Sequence, residues 1–277
     1  MRCRSIVVSE YGPAENLVLT EKELPALEAH QVIIRTVSSF SSARHKSLII
    51  TTKSTQVPPW CPRMHRMIDS VSPQVLVKVE AAGVNPSDTY QRLGPDGPWS
   101  ATPHLLPKLP YTPGKDGAGT VEALGPGVTE FGVGDRVYTN GSVTGTFAEY
   151  AVCGVGQCFR LPDKVSFAQG AGVGVPCATA YRAIWQRGGL RPTESLFVHG
   201  ASGAVGLAAV QMAVAAGCFV CGTAGSPAGE AAVAAAGAQC VVNHKSEGYL
   251  AEAKAVLPEG SAGYDVLLEN AAHLVRL

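Results

Sequence analysis

The chain reads as an α/β protein, with a β-barrel in its first half and a doubly wound parallel sheet in its second. Three observations predict this. From Val165 onward, short apolar runs alternate with Ala/Val-rich helical stretches, which is the pattern of a parallel sheet covered by helices. Before that point, six short strand-like runs are separated by Gly and Pro turns, the texture of a barrel. A hydrophobic content of 46% with 31 Gly in 277 residues supplies both a core and the turns such a chain needs.

In order, the strand-like runs of the first half are RCRSIVV, NLVLTEKEL, VLVKVEAAGV, GAGTVEALG, GDRVYT and TFAEYAV. The pattern is disturbed between HQVIIRT (His30 to Thr36) and PQVLVKV (Pro73 to Val79), which nearly repeat across a Ser- and Pro-rich stretch. The similarity is too short for an internal repeat, so 32–74 is expected to be an inserted, disordered segment. It carries Arg35, Arg44, Lys46, Lys53, Arg63 and Arg66 against Asp69 alone, while the whole chain is balanced at 22 basic and 22 acidic residues. That balance excludes a global field drawing nucleic acid or anionic membrane to the chain.

In the second half, SLFVHG is a buried strand and Ala204 to Ala216 a helix closed by Gly217. CFVCGTA is the second strand. Ser226 then caps, and Pro227 opens, a helix running to Ala236. QCVVN and YDVLLEN are the third and fourth strands. Domains are expected at 1–164 and 165–277. Gly206 to Gly225 has no charge, but Gln211, Gly217 and a change of period near Cys218 mark a buried helix followed by a buried strand, not a membrane span. The eight cysteines lie in apolar surroundings and the N-terminus has no apolar leader, so a cytoplasmic protein with reduced thiols is expected. Cys218 and Cys221 form a C-x-x-C that points to opposite faces of a strand, a poor zinc site.

The chemistry concentrates in HGASGAVG. Gly200, Ala201, Gly203 and Gly206 follow a strand and open a helix, the context in which glycines cradle a pyrophosphate at a helix N-terminus. Ala201 replaces the first Gly of the usual fingerprint. No Gly-Lys-Ser/Thr follows, which argues against a nucleoside triphosphate. An NAD site places an acid at the tip of the second strand, but here the tip reads CGTAGS and Glu230 falls inside the next helix. NADPH is therefore expected, with Ser226, His244 and Lys245 as candidate donors to a 2′-phosphate. His244 reads equally well as an ordinary loop histidine.

AAGVNPSDTYQRLG, LPYTPGKDGAGTVEALGPGV, GDRVYTNGSVTGTFAEYAV, GVPCATAYRAI and HGASGAVGLAAVQMA together resemble the zeta-crystallin, or quinone oxidoreductase, branch of the medium-chain dehydrogenase/reductase superfamily. The resemblance covers Met1 to about Gln31 and Val75 to about Ala272. It implies a GroES-like partial β-barrel, a Rossmann domain with NADPH, and small-molecule quinones as acceptors. Carried over by motif, Tyr90 lines the nicotinamide side, Ser202, Gly203, Ala204 and Val205 wrap the pyrophosphate, Gly225 lies by the ribose and His244 near the 2′-phosphate. Tyr90 is the candidate donor to a developing phenolate, or else an aromatic wall, and Asn85 is an orienting amide. Where zinc alcohol dehydrogenases of the superfamily carry ligands, this chain has Asn85, Lys115 and Val175, which implies zinc-independent chemistry.

Two departures from the family bear on function. Besides the insertion, the resemblance ends after the fourth strand, so the sheet is expected to lack its C-terminal half, and the subunit contacts that make the family homo-oligomeric are expected to be absent. Impaired turnover is the expectation. Two rivals remain: a non-catalytic protein binding NADPH or AU-rich RNA through the basic insertion, and a 2-enoyl reductase of the same superfamily.

Overall fold

The structure, a computed structural model, describes residues 2–23 and 73–270. They fall into two compact units that meet in sequence between Val175 and Pro176. The expected insertion 32–74 lies outside the described residues except for its last two positions. Gln74 already pairs with Gly154, so strand order resumes one residue before Val75.

In the first unit, β1 (Arg2–Val8) and β2 (Leu17–Glu23) form an antiparallel hairpin. The remaining strands are β3 (Gln74–Gly83), β4 (Asp116–Leu124), β5 (Arg136–Asn140), β6 (Tyr150–Gly154) and β7 (Cys158–Arg160). They make an antiparallel sheet in the order β6-β3-β4-β5-β7, and bridges from Ser5 to Ala148 and from Val8 to Tyr111 tie in the hairpin. Val75, Val77, Val79, Val121, Val137 and Val152 fill its core, the β-branched residues a pleated and buried surface favours. The last expected run, TFAEYAV, becomes strand only at Tyr150. Before it, the Thr146 hydroxyl donates to the Asp116 carbonyl, and Phe147 to Glu149 pair with β1 by backbone hydrogen bonds from Ile6 N–H and Glu149 N–H.

The first unit extends past the expected boundary at 164 because α2 (Phe167–Ala171) packs on β3, β4 and β5. Ala171 and Leu161 share a cluster with Ala118. A Cβ on Gly83 would stand 2.4 Å from the Ala171 carbonyl oxygen, so glycine is what lets this helix settle onto the sheet.

The second unit has four parallel strands in the order β10-β9-β8-β11: β8 (Ser195–His199), β9 (Phe219–Ala224), β10 (Cys240–Asn243) and β11 (Val266–Glu269). The helices named here are α3 (Gly174–Tyr181), which crosses the boundary, α4 (Ala204–Ala215), α5 (Pro227–Ala235) and α6 (Tyr249–Ala255), with α1 (Pro86–Leu93) in the first unit. Side chains alternate between two clusters. Leu196, Val198 and Val220 pack with α4 residues and Val233, whereas Phe197, Cys221 and Val242 pack with Ala253. The sheet is therefore covered on both faces, as a doubly wound fold requires. Cys218 and Cys221 join different clusters, in line with the opposite faces read from their spacing. Gly206 to Gly225 resolves into helix α4 and strand β9, and among the described residues no helix is long and apolar enough to cross a membrane.

Candidate functional site

The turn between β8 and α4 is built by hydrogen bonds that aim some amides inward and leave others at the surface. Gly200 takes φ +71°, a left-handed conformation that glycine adopts without strain. Its N–H donates to Thr223 Oγ1 at 3.0 Å, and Ala201 N–H donates to the Thr223 carbonyl at 2.7 Å. Gly203, the N-cap of α4, gives its N–H to the Gly200 carbonyl, and the helical ladder begins with Leu207 N–H on the Gly203 carbonyl. The amides of Ala204, Val205 and Gly206 precede that bond and so have no acceptor within the helix. They sit at the positive end of a twelve-residue helix.

Two glycines of this turn are there for different reasons. A Cβ on Gly206 would lie 2.6 Å from Ala201 Cα and its carbonyl oxygen, so close packing of helix on turn demands glycine. A Cβ on Gly203 would meet only the Gly200 carbonyl oxygen, at 3.6 Å. The protein itself leaves that cradle open, which fits a group that approaches the backbone closely. Ser202 and Val205 are half-buried and Ala204 exposed around it. Gly200 contributes through its backbone conformation and carbonyl, since its N–H is already committed to Thr223.

At the tip of β9, Gly225 and Ser226 follow Ala224, and no acid stands there. Ser226 caps α5, accepting from Gly229 N–H at 3.2 Å as its Ser-Pro signature predicts. Glu230 lies inside α5, where Asn243 Nδ2 donates to it at 2.7 Å. His244 and Lys245 come alongside: a Cβ on Gly225 would be 2.6 Å from His244 Nε2 and 3.0 Å from Lys245 Cε. Behind the turn runs a buried polar row. His199 Nδ1 lies 3.0 Å from Glu269 Oε1, Tyr249 Oη 3.3 Å from His199 Nε2, and the His199 and His244 rings are 5.3 Å apart.

In the first unit, Asn85 and Tyr90 are placed by α1. Asn85 is its N-cap residue, and the backbone N–H of Asn85 donates to Asp88 Oδ2 at 2.8 Å. The Asn85 side chain turns away and donates through Nδ2 to Asp116 Oδ2 at 2.9 Å, while Val175 N–H reaches both Asp116 oxygens at 2.9 Å. Asp116 thus gathers the three segments that would carry zinc ligands in the alcohol dehydrogenases. The donor set does not suit the metal: Asn85 offers only a neutral amide oxygen in place of a thiolate, Lys115 is a cation and Val175 has no ligand atom in its side chain.

Burial pushes Asp116 up to about 6 and Asp88 up to about 7, although hydrogen bonds from Asn85 and Val175 and the nearby Lys115 ammonium act in the opposite sense. Asp88 Oδ1 and the Tyr111 hydroxyl are buried without a hydrogen-bond partner. Tyr90 is half-buried and meets Trp99 edge-on at 6.2 Å, and Lys115 Nζ lies 5.1 Å from the centre of the Trp99 ring. Beside them is a cavity of about 460 Å³, lined by Gln91, Lys108, Tyr111, Lys115, Ser142 and Thr144 among others. Sequence reasoning missed Asp88, Asp116 and Thr223. The first two are legible only as the acids of NPSD and GKDG, whose burial no local pattern reveals.

Comparison with known proteins accords with this geometry. Residues 72–163 match the alcohol dehydrogenase GroES-like domain family, and 204–275 the zinc-binding dehydrogenase family. The human quinone oxidoreductase is 44% identical over 201 residues, 73% of this chain and 58% of the relative's length. That of Lama guanicoe is 46% identical over 202 residues, 73% of this chain and 58% of its own length. The chain thus spans less than two thirds of the length of these curated relatives. Among solved structures, a quinone oxidoreductase from Pseudomonas syringae superposes with TM-score 0.66 at 28% identity, covering 91% of this chain and 64% of that one. A probable oxidoreductase from Mycobacterium abscessus gives TM-score 0.71 over 96% of this chain and 69% of that one, at 24% identity.

Proposed function

Because the chain belongs to the quinone oxidoreductase branch of the medium-chain dehydrogenase/reductase superfamily, we propose that it is an NADPH-dependent, zinc-independent quinone oxidoreductase of the cytoplasm. Family membership implies a nicotinamide cofactor. The observation that carries the choice of NADPH is the tip of β9, where Gly225 is flanked by His244 and Lys245 and carries no acid. A carboxylate there would accept from a ribose hydroxyl and repel a phosphate. An imidazole and an ammonium do the reverse.

In this reading Ala204, Val205 and Gly206 offer their amides to the pyrophosphate, Gly203 gives it room, and Ser226, His244 and Lys245 take the 2′-phosphate. Bound NADPH supplies a hydride. Within the first unit, Tyr90 is the candidate whose hydroxyl would donate to the oxygen that gains charge as a quinone becomes aromatic. Asn85, held through Asp116, fixes the start of α1 and so the position of Tyr90 four residues into that helix.

Nicotinamide oxidation measured with an ortho-quinone acceptor tests the reading. NADPH should outperform NADH, and Tyr90→Phe should lower kcat by about tenfold or more, the worth of one hydrogen bond to a charged oxygen. Melting the protein with each cofactor tests binding separately. At a hundredfold excess over Kd, a bound cofactor adds about 2.7 kcal/mol. A transition raised equally by NADH and NADPH would defeat the 2′-phosphate assignment, and one indifferent to both would defeat the cofactor itself.

A further inference from the structure

The side chain of Thr223 faces neither the turn surface nor solvent; the residue is wholly buried. Its hydroxyl nonetheless joins the two halves of the cofactor site. Oγ1 receives the Gly200 N–H at 3.0 Å and lies 3.1 Å from His244 Nδ1. A backbone N–H can only donate. Oγ1 keeps a second lone pair, but its own buried proton finds an acceptor among its hydrogen-bond partners only if it goes to His244 Nδ1. An imidazole that accepts at Nδ1 carries its hydrogen on Nε2 when neutral. Nε2 is the atom that lies against Gly225, 2.6 Å from where a Cβ would be.

We propose that Thr223 is a positioning residue for cofactor selectivity: its hydroxyl fixes the Nε2–H tautomer of His244, so that the ring presents a donor to a 2′-phosphate monoester beside Gly225. This deepens the NADPH reading and rests on it. The same hydroxyl anchors Gly200, so one buried oxygen sets both the backbone of the pyrophosphate turn and the donor at the far end of the nucleotide. Gly225 completes the arrangement, since any side chain there would displace the His244 ring.

The two roles of the hydroxyl separate experimentally. Misplacing Gly200 weakens NADPH and NADH alike, whereas releasing His244 weakens NADPH selectively. Dissociation constants for both cofactors, read from nicotinamide fluorescence, are therefore compared for the wild type, Thr223→Val, Thr223→Ser and His244→Ala. The ratio of NADPH to NADH affinity should fall about tenfold or more in His244→Ala and in Thr223→Val. It should be restored in Thr223→Ser, and the double variant Thr223→Val/His244→Ala should be no less selective than either single one.

A Thr223→Val protein that keeps the wild-type ratio while His244→Ala loses it would overturn the role of Thr223 and leave the NADPH reading intact. A ratio unchanged in His244→Ala would overturn the 2′-phosphate assignment itself, and this inference with it. Imidazole nitrogen shifts of the wild-type protein give an answer that needs no variant to fold. A protonated Nε2 and an unprotonated Nδ1 on His244 support the proposal, and the reverse pattern defeats it.

Discussion

Asp88 carries the clearest pH signature of any single residue. An unfolded aspartate titrates near 3.8, while burial holds the native group at about 7, and Asp116 at about 6. Between those limits the folded state keeps protons that the unfolded chain has already released. Stability therefore falls as pH rises from about 4 to about 7, with Asp116 contributing to the lower part of that window, and levels off above it. Asp88→Asn retains an oxygen for the Asn85 N–H and has no charge to bury. Chemical denaturation at pH 5 and pH 7.5 should show a smaller loss in the variant than in the wild type. An equal loss in both would mean that Asp88 is not the group responsible. Nothing in NPSD as text distinguishes this acid from an exposed helix-capping one, because its burial arises from contacts across the unit.

At the scale of elements, the β8–α4 turn separates shape from binding. Gly206→Ala forces a Cβ into the Ala201 backbone, so α4 must shift, at a cost of about 1–3 kcal/mol. Gly203→Ala meets ordinary contact only, and its cofactor-free melt should lose no more than about 1 kcal/mol, the cost of alanine at an N-cap, while the rise on adding NADPH is lost. Equal damage to folding in both variants would refute this division. The sequence made the turn legible because strand, glycines and helix follow one another in eight residues. It also identified Ser226 as a cap, since that signal is local. What it could not reveal was the partner of Gly200, for Thr223 lies on the neighbouring strand and registers only once β8 and β9 pair. The first residues of TFAEYAV pair with β1 through the Ser5–Ala148 bridge, and regular strand begins only at Tyr150, because this partner lies far away in sequence.

At the scale of the whole molecule, α/β class, the two-unit plan and the doubly covered parallel sheet were all readable from periodicity and punctuation. The boundary expected at 164 differs from the break between compact units after Val175. It was set where the text changes from barrel-like to alternating, but α2 belongs to the first unit because Gly83 and Gly170 admit it against the sheet. The segment 32–74, apart from Pro73 and Gln74, lies outside the described residues, and so does the basic cluster read in it.

The placement of the cysteines acquires a meaning under the proposed reading, in which quinones are the acceptor. Quinones are electrophiles that alkylate thiolates, so an enzyme that handles them risks covalent damage to itself. Here Cys3, Cys153, Cys158, Cys218 and Cys221 are buried, and Cys221 faces Cys240 across the β9–β10 pairing. Burial pushes the thiols of Cys153, Cys218 and Cys221 up, which leaves little thiolate to react. Peptide mapping after exposure of the native protein to 1,4-benzoquinone should find these three unmodified, and the same treatment after denaturation should label them. Adducts on them in the folded protein would show that the core admits the reagent. Among the described residues, the packing that closes each core shields these five thiols from such electrophiles, while Cys177 and Cys240 stay half-buried.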